Sequence, residues 1–534
     1  MRLAHSTVIV AFLFLAIHAT TDIQPAGIYV RLNQRAVDYM ADVASEAFPA
    51  ILNKLHPPNI TTGVATIANL VLSNIARPSI KAKFLNEKGI EYNISLASFR
   101  ADAYAEISIF IFSYSGTFTA QLDHLNIHSE LHFNHNGTTV VTAPVCNVTQ
   151  SDLSLVFPKN SALITLQSDI KSTIVESLRD AVCTTAVDAL TFVMSQKPVQ
   201  PEHPDFIKPE PNDANGFNIV EFGSSLCVPE KLNEIDDAVT TPTPDNETNQ
   251  NNTDSSYWGI DLSVNHPPTF SDDDMIIGLD GGLMYNGWKA ESAPQPNVLN
   301  RTLLDKKMIG ILVSEYIPNT LFHHVYMNDL GSFKHKYTPA SLPKILQKLS
   351  KAVCSNCFLE ISANLTEQPR LEIDEHLGAR IEVSANISVT FQGREKMHDM
   401  LHANTKLHIT LKPTIRHSRL FGDVSLTNVD VNIFDLGLGG PLAAPIEKLF
   451  SFVVPRILWP QVKKRLRFAM NHRGVKLPTM CGIEFEHTEL DFVDHAVVIN
   501  TDFTFDVQLF IRKFKNYLIE KSKYNPNMPN YVEL

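Results

Sequence analysis

The pattern of apolar and polar residues is most informative in the middle of the chain, at residues 306–326. Residues 308–313 form a continuous apolar run with one glycine, which predicts a strand buried on both faces or against lipid. Ser314 then predicts a helix N-cap, and Pro318 falls in the first turn, where a helix tolerates proline. The predicted helix carries one apolar stripe at a spacing of four residues: Ile317, Leu321 and Val325.

The first half of the chain combines long helices with many strands. Residues 34–55 keep a helical spacing of apolar residues, although Pro49 lies inside the pattern and predicts a kink or an interruption. Between residues 71 and 156 apolar and polar residues alternate, as is typical of antiparallel strands. The strands are predicted at residues 90–96, 105–109, 116–120, 125–128 and 131–133. A second long helix is predicted over residues 161–194.

The second half repeats this order of elements. After the strand and helix at residues 306–326, apolar spacing predicts another helix over residues 342–353. Alternating segments then predict strands at residues 358–361, 371–373, 379–385, 407–411 and 423–433. A final long helix is predicted to end near residue 471. A helix, an antiparallel sheet and a second helix thus occur twice, which indicates an internal repeat.

Two segments interrupt this repeat by their composition. Residues 198–256 are rich in Pro, Asn, Asp and Thr, and predict a disordered or glycosylated insertion. Residues 291–303 are rich in Pro, Asn and Ser, and predict the linker between the halves. Between these segments, residues 259–264 and 275–282 predict a strand pair that returns to the sheet of the first half.

Length and charge narrow the class of protein. The chain has 534 residues, which favours two domains. Its formal net charge of −12, from 45 basic and 57 acidic residues, argues against nucleic acid as a partner. Arg2 precedes a short apolar core, so residues 1–21 predict a secretory signal peptide and hence a secreted, extracellular protein.

Nine N-x-[ST] sequons agree with export and predict a glycoprotein. They are Asn59, Asn93, Asn136, Asn147, Asn246, Asn251, Asn300, Asn364 and Asn386.

The six cysteines of an exported chain are predicted to form disulfides. Cys354 and Cys357 have the C-x-x-C spacing of a redox or zinc motif, but the pattern offers neither a second ligand pair nor a thioredoxin context. A disulfide role together with Cys227 and Cys481 is therefore favoured. These four cysteines can be paired in more than one way, and the sequence does not determine which pairing forms.

The usual catalytic signatures are absent from the sequence. It contains no G-x-S-x-G, H-E-x-x-H, P-loop or dinucleotide-binding motif, so the chain is predicted not to be an enzyme and to need no cofactor. Three groups are weak metal candidates: the acidic run 272–274, the pair His323 and His324, and His398 with His402 at helical spacing. Such groups are more often structural, and no metal site is predicted.

The strand and helix at residues 306–326 closely resemble the opening of the carboxy-terminal barrel of the lipid-binding serum glycoproteins. That family includes bactericidal/permeability-increasing protein, lipopolysaccharide-binding protein, and the phospholipid and cholesteryl ester transfer proteins. Pro25 and Gly27, followed by the long helix, resemble the start of its amino-terminal barrel. The resemblance implies an α+β fold with two tandem barrels, each a long curled antiparallel sheet wrapped round a long helix, in an elongated, boomerang-shaped molecule.

The same resemblance implies a division of the chain. The amino-terminal barrel would cover residues 22–290 and the carboxy-terminal barrel residues 304–512, leaving a polar tail at 513–534 with no evident role. It also implies the family's characteristic disulfide, between Cys146 on a strand and Cys183 on the second helix.

Each barrel of this family holds lipid tails in an apolar slot between the helix and the sheet. The resemblance implies a first slot lined by Val37, Met40, Ala44, Phe48, Leu262, Val264 and Ile276. It implies a second slot lined by Ile311, Val313, Ile317, Leu321, Phe322, Phe450 and Val454. For any one of these residues, a simple core position is the commoner alternative.

The leading hypothesis is a secreted carrier that binds phospholipid or a similar lipid and transfers it. The alternative is innate-immune recognition of bacterial lipids such as lipopolysaccharide; a secreted hydrolase is a third, weaker reading. Antibacterial family members carry basic residues at the tip of the first barrel, whereas residues 23–220 hold 13 basic and 18 acidic residues here, and only Lys81, Lys83 and Lys88 cluster. The basic stretch 456–476 could contact a membrane or lipoprotein surface, although a solvated helix face is commoner.

Overall fold

The structure is a computed structural model. It describes residues 25–57, 59–62, 65–109, 112–135, 139–159, 161–194, 258–289, 295–299, 301, 304, 307–338, 358–392, 397–416, 419–435, 459, 475–476, 482–523 and 530–531.

The chain opens with strand β1 (Ile28–Asn33) and helix α1 (Gln34–Leu52). The helix begins there because the Asn33 side chain accepts a hydrogen bond from the Ala36 amide at 3.0 Å. Pro49 does not interrupt the helix, which ends three residues earlier than predicted. Asn53 closes it by donating its amide to the Pro49 carbonyl at 3.0 Å.

The first-half sheet contains six strands in the order β3-β4-β6-β7-β8, with β5 paired to β6. The strands are β3 (Ile60–Thr62), β4 (Ala65–Ser73), β5 (Ser79–Leu85), β6 (Gly89–Ile109), β7 (Phe112–His135) and β8 (Thr139–Val156). A two-residue strand β2 (Leu55–His56) precedes them.

The five short strands predicted between residues 90 and 133 are wrong in length, because they merge into β6 and β7. Polar positions that resemble turns in the sequence continue the ladder: Arg100 pairs with Gln121, and Asp102 with Thr119. These side chains point to the solvent face of the sheet, where polar residues do not end a strand.

A 3-10 turn (Ala162–Leu166) and helix α2 (Gln167–Met194) follow, close to the predicted bounds. The helix packs on β8, and a disulfide joins Cys146 of β8 to Cys183 of α2 with a Cα–Cα distance of 6.0 Å. Leu163 and Ile170 are completely buried against the inner face of the sheet. The bond implied by the family resemblance is therefore present.

A central sheet of six strands connects the two halves, in the order β10-β11-β1-β14-β23-β22. Its strands beyond β1 are β10 (Val264–Phe270), β11 (Asp274–Leu279), β14 (Ile309–Ser314), β22 (Ile483–Val493) and β23 (Ala496–Phe505). The strands predicted at residues 259–264 and 275–282 do not form a pair in the first-half sheet. Residues 274–279 form β11, which joins β1 in the central sheet, whereas residues 258–260 belong to a separate small sheet. The predicted apolar strand is β14, an interior strand between β1 and β23. Leu312 is completely buried on one face, whereas Ile311 and Val313 on the other face are only half-buried.

A small sheet in the order β13-β12-β9 lies next to helix α3 (Tyr316–Met327). Its strands are β9 (Trp258–Ile260), β12 (Leu283–Tyr285) and β13 (Trp288–Lys289). Glu315, not Ser314, occupies the N-cap of α3, although the Ser314 hydroxyl accepts the Tyr316 amide at 3.1 Å.

The buried face of α3 is polar, contrary to the predicted apolar stripe. Asn319 bonds the amide and carbonyl of Leu371 at 2.8 and 2.9 Å, and Thr320 accepts the amide of Leu283 at 2.9 Å. Backbone groups at the edges of neighbouring strands need hydrogen-bond partners, and the helix supplies them. The residues of the predicted stripe are only half-buried: Ile317, Leu321 and Val325.

The second-half sheet has seven strands in the order β15-β16-β18-β19-β20-β21, with β17 paired to β18. They are β15 (Phe333–Tyr337), β16 (Phe358–Leu365), β17 (Arg370–Asp374), β18 (Gly378–Gln392), β19 (Met397–Arg416), β20 (Arg419–Asp435) and β21 (Val475–Lys476). The predicted strands all fall inside them. Outside the described residues lie the insertion 198–256, the helices predicted at 342–353 and up to 471, Cys227, Cys354, Cys357 and Cys481.

Part of the predicted polar tail belongs to regular elements. Helix α4 (Val507–Ser522) crosses the predicted boundary at residue 512, and strand β24 (Asn530–Tyr531) pairs with β2. Asp506 caps the helix by accepting the Leu509 amide at 2.9 Å. The helix buries Tyr517 and Leu518 against α1 and β2.

Long antiparallel sheets with few helices thus confirm the predicted α+β class. The closure of each half into a barrel and the elongated shape remain predictions. None of the described helices combines the length and the apolar character that crossing a membrane would require.

Candidate functional site

A cavity of about 640 Å³ lies between the inner face of the first-half sheet and the helices α1 and α2. Its walls are Phe48, Leu52, Pro57, Asn59, Ile60, Ile67, Leu70, Leu72, Ile75, Tyr92, Ile94, Leu96, Phe99, Ala101, Ala120, Leu125, Ile127, Leu153, Ile174, Ser177 and Leu178. Its volume falls within the range of about 300–1,000 Å³ that is typical of small-molecule sites.

The alternation of β6 and β7 makes the sheet wall apolar. Ile94 and Leu96 face the cavity. The alternate residues Asn93 and Ser95 project from the other face of the sheet. Ala101 and Ala120 pair in register on neighbouring strands, and both line the cavity. Two small side chains side by side leave space that larger residues would fill, so this pair contributes directly to the volume of the cavity.

The helices form the opposite wall. Phe48 and Leu52 come from the last turns of α1, and Ile174 and Leu178 from one face of α2, where a spacing of four aligns them. The disulfide between Cys146 and Cys183 ties α2 to β8 within two and a half turns of these residues. The covalent link therefore fixes the helix that closes the cavity.

Polar groups are scarce in the cavity wall. Among the described side chains that line it, only Asn59, Ser177 and the hydroxyl of Tyr92 are polar, and none is charged. A cavity with such a wall is poorly suited to polar or charged ligands. It can hold an apolar ligand by withdrawing it from water.

The C-terminal segment packs directly behind one wall. Leu52 and Leu72 line the cavity and also pack against the buried cluster formed by Leu55, Tyr517, Leu518 and Tyr531. The Tyr531 hydroxyl donates a hydrogen bond to the carbonyl of Ile51 in α1, and burial raises the pKa of Tyr531. The hydroxyl thus stays protonated and keeps donating at neutral pH.

Replacing Tyr531 with Phe tests this contact. Loss of the hydrogen bond to Ile51 should lower the free energy of unfolding by about 1 kcal/mol, as measured by chemical denaturation. Asn516→Ala, on the exposed side of α4, is the matched control and should change stability far less. Equal effects of the two variants would show that the hydroxyl contributes nothing specific.

We expect His56 to make the same region sensitive to acid. It lies in β2 opposite Asn530, and burial lowers its pKa below the ordinary value of 6.5. Within the described part of the chain, its buried Nε2 atom has no hydrogen-bond partner. A histidine that stays neutral in the folded state contributes stability above the unfolded pKa and loses it as the pH falls through the folded pKa.

We therefore expect the melting temperature to decrease as the pH is lowered from about 7.5 to about 5.5. The His56→Gln variant should show a smaller decrease over the same range. Thermal denaturation of both proteins across this pH range measures the difference. Identical slopes would exclude His56 as a source of the acid sensitivity.

The structure brings few of the predicted first-slot residues to the cavity. Phe48 lines it. Val37 packs instead against the cluster of Phe84, Phe270 and Met275, Met40 is 36% exposed, and Ala44 is exposed. Three others lie outside the first-half sheet: Leu262, Val264 and Ile276. Leu262 precedes β10 and is 50% exposed. The cavity contacts α1 only at its C-terminal end, because the rest of that helix packs against β5.

The predicted second-slot residues divide between two regions. Ile311 packs in the central cluster with Ala36 and Phe503, whereas Phe322 packs against the core of the second-half sheet. Val313 lies on β14, Ile317 lies beside Gly281, and Leu321 is half-buried on α3. Phe450 and Val454 lie outside the described residues. A slot in the second half therefore stays a prediction.

Most of the wall residues were not predicted from the sequence. They lie on β4, β6 and β7, whereas the prediction placed the slot on α1 and on strands of the central sheet. The signal that could have found them is the inward set of an alternating strand that includes alanine. Ala101 and Ala120 are such positions.

One lysine of the basic cluster near residue 81 is paired with an acidic residue. Lys83 forms an ion pair with Glu91 at 2.8 Å, which raises the pKa of Lys83 and lowers that of Glu91. Lys81 and Lys83 line a cleft of about 700 Å³ together with Asp38, Asp42 and Glu91. Acidic side chains thus outnumber the basic ones around this cleft, which disfavours a polyanionic ligand.

The weak metal candidates have structural roles. Asp274 pairs with Arg31 at 2.6 Å and accepts a bond from Ser271 at 2.7 Å. His324 contacts the Leu283 carbonyl at 3.0 Å through Nε2. His398 and His402 lie on β19, not on a helix as their spacing suggested, and the His402 ring stacks on Phe434. No cluster of three or more His, Cys, Asp or Glu side chains suited to a metal ion occurs in the described residues.

Comparison with known proteins gives a consistent result for both halves. Residues 35–195 match the N-terminal domain of the LBP / BPI / CETP family, and residues 253–505 match its C-terminal domain. The chain is 68% identical over 521 residues to the Caenorhabditis elegans protein "Nose resistant to fluoxetine protein 5", and the match covers 95% of each chain.

Solved structures of lower identity also match. Lipopolysaccharide binding protein matches 90% of this chain and 99% of its own, at 13% identity and a TM-score of 0.41. P47 of Clostridium botulinum E1 covers 90% of this chain and 99% of its own, at 8% identity and a TM-score of 0.26.

Proposed function

Because the chain belongs to the LBP / BPI / CETP family, whose members are lipid-binding proteins rather than enzymes, we propose that it is a secreted lipid carrier. In this proposal the cavity of the first half holds the acyl chains of a phospholipid or a similar amphiphile, and the headgroup stays at the mouth. The protein transfers the lipid between membranes or lipoprotein surfaces.

The observation that carries this proposal is the uncharged, apolar wall of the cavity of about 640 Å³. Each methylene withdrawn from water contributes about 0.8 kcal/mol, so a tail of roughly 16 carbons gains roughly 12 kcal/mol. Part of this gain is offset by ordering the chain and the protein. The remainder suffices for a carrier that holds its lipid in solution without a covalent bond.

Charge favours a carrier over a receptor for lipopolysaccharide. Lipid A carries phosphates, whose recognition needs unpaired basic side chains. Lys83 is paired with Glu91, and the cleft beside it contains Asp38 and Asp42. Innate-immune recognition of bacterial lipids is therefore the second candidate, supported by the family rather than by this chain's charges.

Secretion and glycosylation are part of the proposal. Members of the family are secreted, and the disulfide between Cys146 and Cys183 suits an oxidising compartment. The division into an amino-terminal barrel at residues 22–290 and a carboxy-terminal barrel at 304–512 is also proposed. The shared central sheet couples the two units, so they should unfold together.

A vesicle assay tests the proposed function. Donor vesicles carry self-quenched fluorescent phosphatidylcholine, and the protein should accelerate its appearance in acceptor vesicles. Lipid A added in equal amount should compete no better than unlabelled phosphatidylcholine. Selective inhibition by lipid A would favour the defence function, and no transfer of any lipid would refute the carrier.

A further inference from the structure

The sequon at Asn59 occupies a special place, because the Asn59 side chain is exposed and also lines the cavity. Asn59 precedes β3, the strand at one end of the first-half sheet, so one edge of this strand is unpaired within that sheet. The next residue, Ile60, lines the cavity as well. The acceptor amide thus stands where the cavity wall meets the solvent.

Other described sequons differ from Asn59 in their surroundings. Asn93 lies inside β6, which pairs with β5 and β7 on its two sides. Its side-chain amide donates to Glu91 at 3.0 Å and its oxygen contacts Nδ1 of His128 at 2.8 Å. A glycan on Asn93 would disrupt both contacts, so this position is a poor acceptor.

Three further sequon asparagines are exposed within strands but do not line the cavity: Asn147, Asn364 and Asn386. Asn364 and Asn386 pair in register on β16 and β18, in the second-half sheet. Asn147 pairs with His128, on the face of β7 opposite to that of Ile127, which lines the cavity. Glycans at these positions would project from the outer faces of the sheets.

We infer that Asn59 carries an N-linked oligosaccharide that stands at the mouth of the apolar cavity and slows the exchange of lipid with membranes. This inference rests on the proposed carrier function. The apolar side chains next to Asn59, Pro57 and Ile60, would otherwise meet an approaching bilayer directly. A hydrated, branched glycan separates the two surfaces and favours retention of the bound lipid.

Variants of Thr61 provide the test, because Thr61 completes the sequon and does not itself line the cavity. Thr61→Ala removes the sequon, whereas Thr61→Ser keeps it while removing the same methyl group. Both are compared with Asn59→Gln and with Asn386→Gln, which removes an exposed sequon of the other sheet. All proteins are produced in a secretory eukaryotic host and analysed by glycopeptide mass spectrometry.

We expect wild type and Thr61→Ser to carry the Asn59 glycan and to transfer fluorescent phosphatidylcholine at the same rate. Thr61→Ala and Asn59→Gln should lack this glycan and transfer several-fold faster, and Asn386→Gln should keep the wild-type rate. An unglycosylated Asn59 in the wild type, or an unchanged rate after loss of the glycan, would overturn the inference alone. Absence of transfer by every protein would overturn the carrier function with it.

Discussion

Replacing Ile174 with tryptophan should lower the affinity for phospholipid by roughly a hundredfold. Ile174 projects from α2 into the cavity, and an indole there would occupy space that the acyl chain needs. Displacing about four methylenes from the cavity costs about 3 kcal/mol, which corresponds to on the order of a hundredfold in the dissociation constant. Titration of the delipidated protein with a fluorescent phospholipid measures this change.

Val175→Trp is the matched control for this prediction. Val175 is the next residue of α2, is also half-buried and packs against the same core, but it does not line the cavity. The control should lose some stability through overpacking, about 1–3 kcal/mol, and keep its lipid affinity. Similar affinities of the two variants would mean that lipid does not occupy this cavity.

Replacing both Cys146 and Cys183 with serine should lower the free energy of unfolding by about 3–4 kcal/mol. The bond closes a loop whose ends are 37 residues apart in sequence. In the chain-entropy account, opening a loop of this length releases conformational freedom in the unfolded chain worth about 3–4 kcal/mol. Chemical denaturation of both proteins without reductant measures the difference.

Reductant supplies the control for the disulfide. Reduced wild type and reduced double variant should be equally stable, because reduction removes the Cys146–Cys183 bond from the wild type and any other disulfide from both proteins. The variant should also bind lipid more weakly, since α2 supplies Ile174 and Leu178 to the cavity wall. A loss below about 1 kcal/mol would show that noncovalent packing alone holds α2 on the sheet.

The regular parts of the fold could be predicted from the sequence because they follow periodicity. The helices α1 and α2 and the second-half strands lie where apolar spacing placed them. Strand ends could not be predicted, because Arg100 and Asp102 alternate outward on a long strand and resemble a turn. The pairing of strands that are distant in sequence could not be predicted either. Strand β1 pairs with β11 and β14, and this pairing depends on tertiary contacts.

The faces of short helices were the least predictable feature. Asn319 and Thr320 are buried on α3 because strand edges offer backbone groups to them, which no periodicity reveals. Helix α4 was missed for a related reason. Phe510, Phe514 and Leu518 keep helical spacing, but this spacing crosses the boundary that was predicted at residue 512.

The candidate site was predicted in kind but not in place. Family resemblance indicated an apolar slot between a helix and a sheet, and Phe48 lies in the cavity that the structure contains. The strand residues of the wall could not be selected, because the inward positions of β6 and β7 are apolar with few exceptions such as Ser129. Which of these positions border a space depends on the three-dimensional distance to α2.

Organic extraction of the purified protein followed by lipid mass spectrometry tests the central claim most directly. Wild type and Val175→Trp should release a stoichiometric phospholipid or similar amphiphile, and Ile174→Trp should release much less. Absence of extractable lipid from the wild type, combined with no binding of added phospholipid, would contradict the account. Equal lipid content in all three proteins would place the ligand outside the cavity between α1, α2 and the first-half sheet.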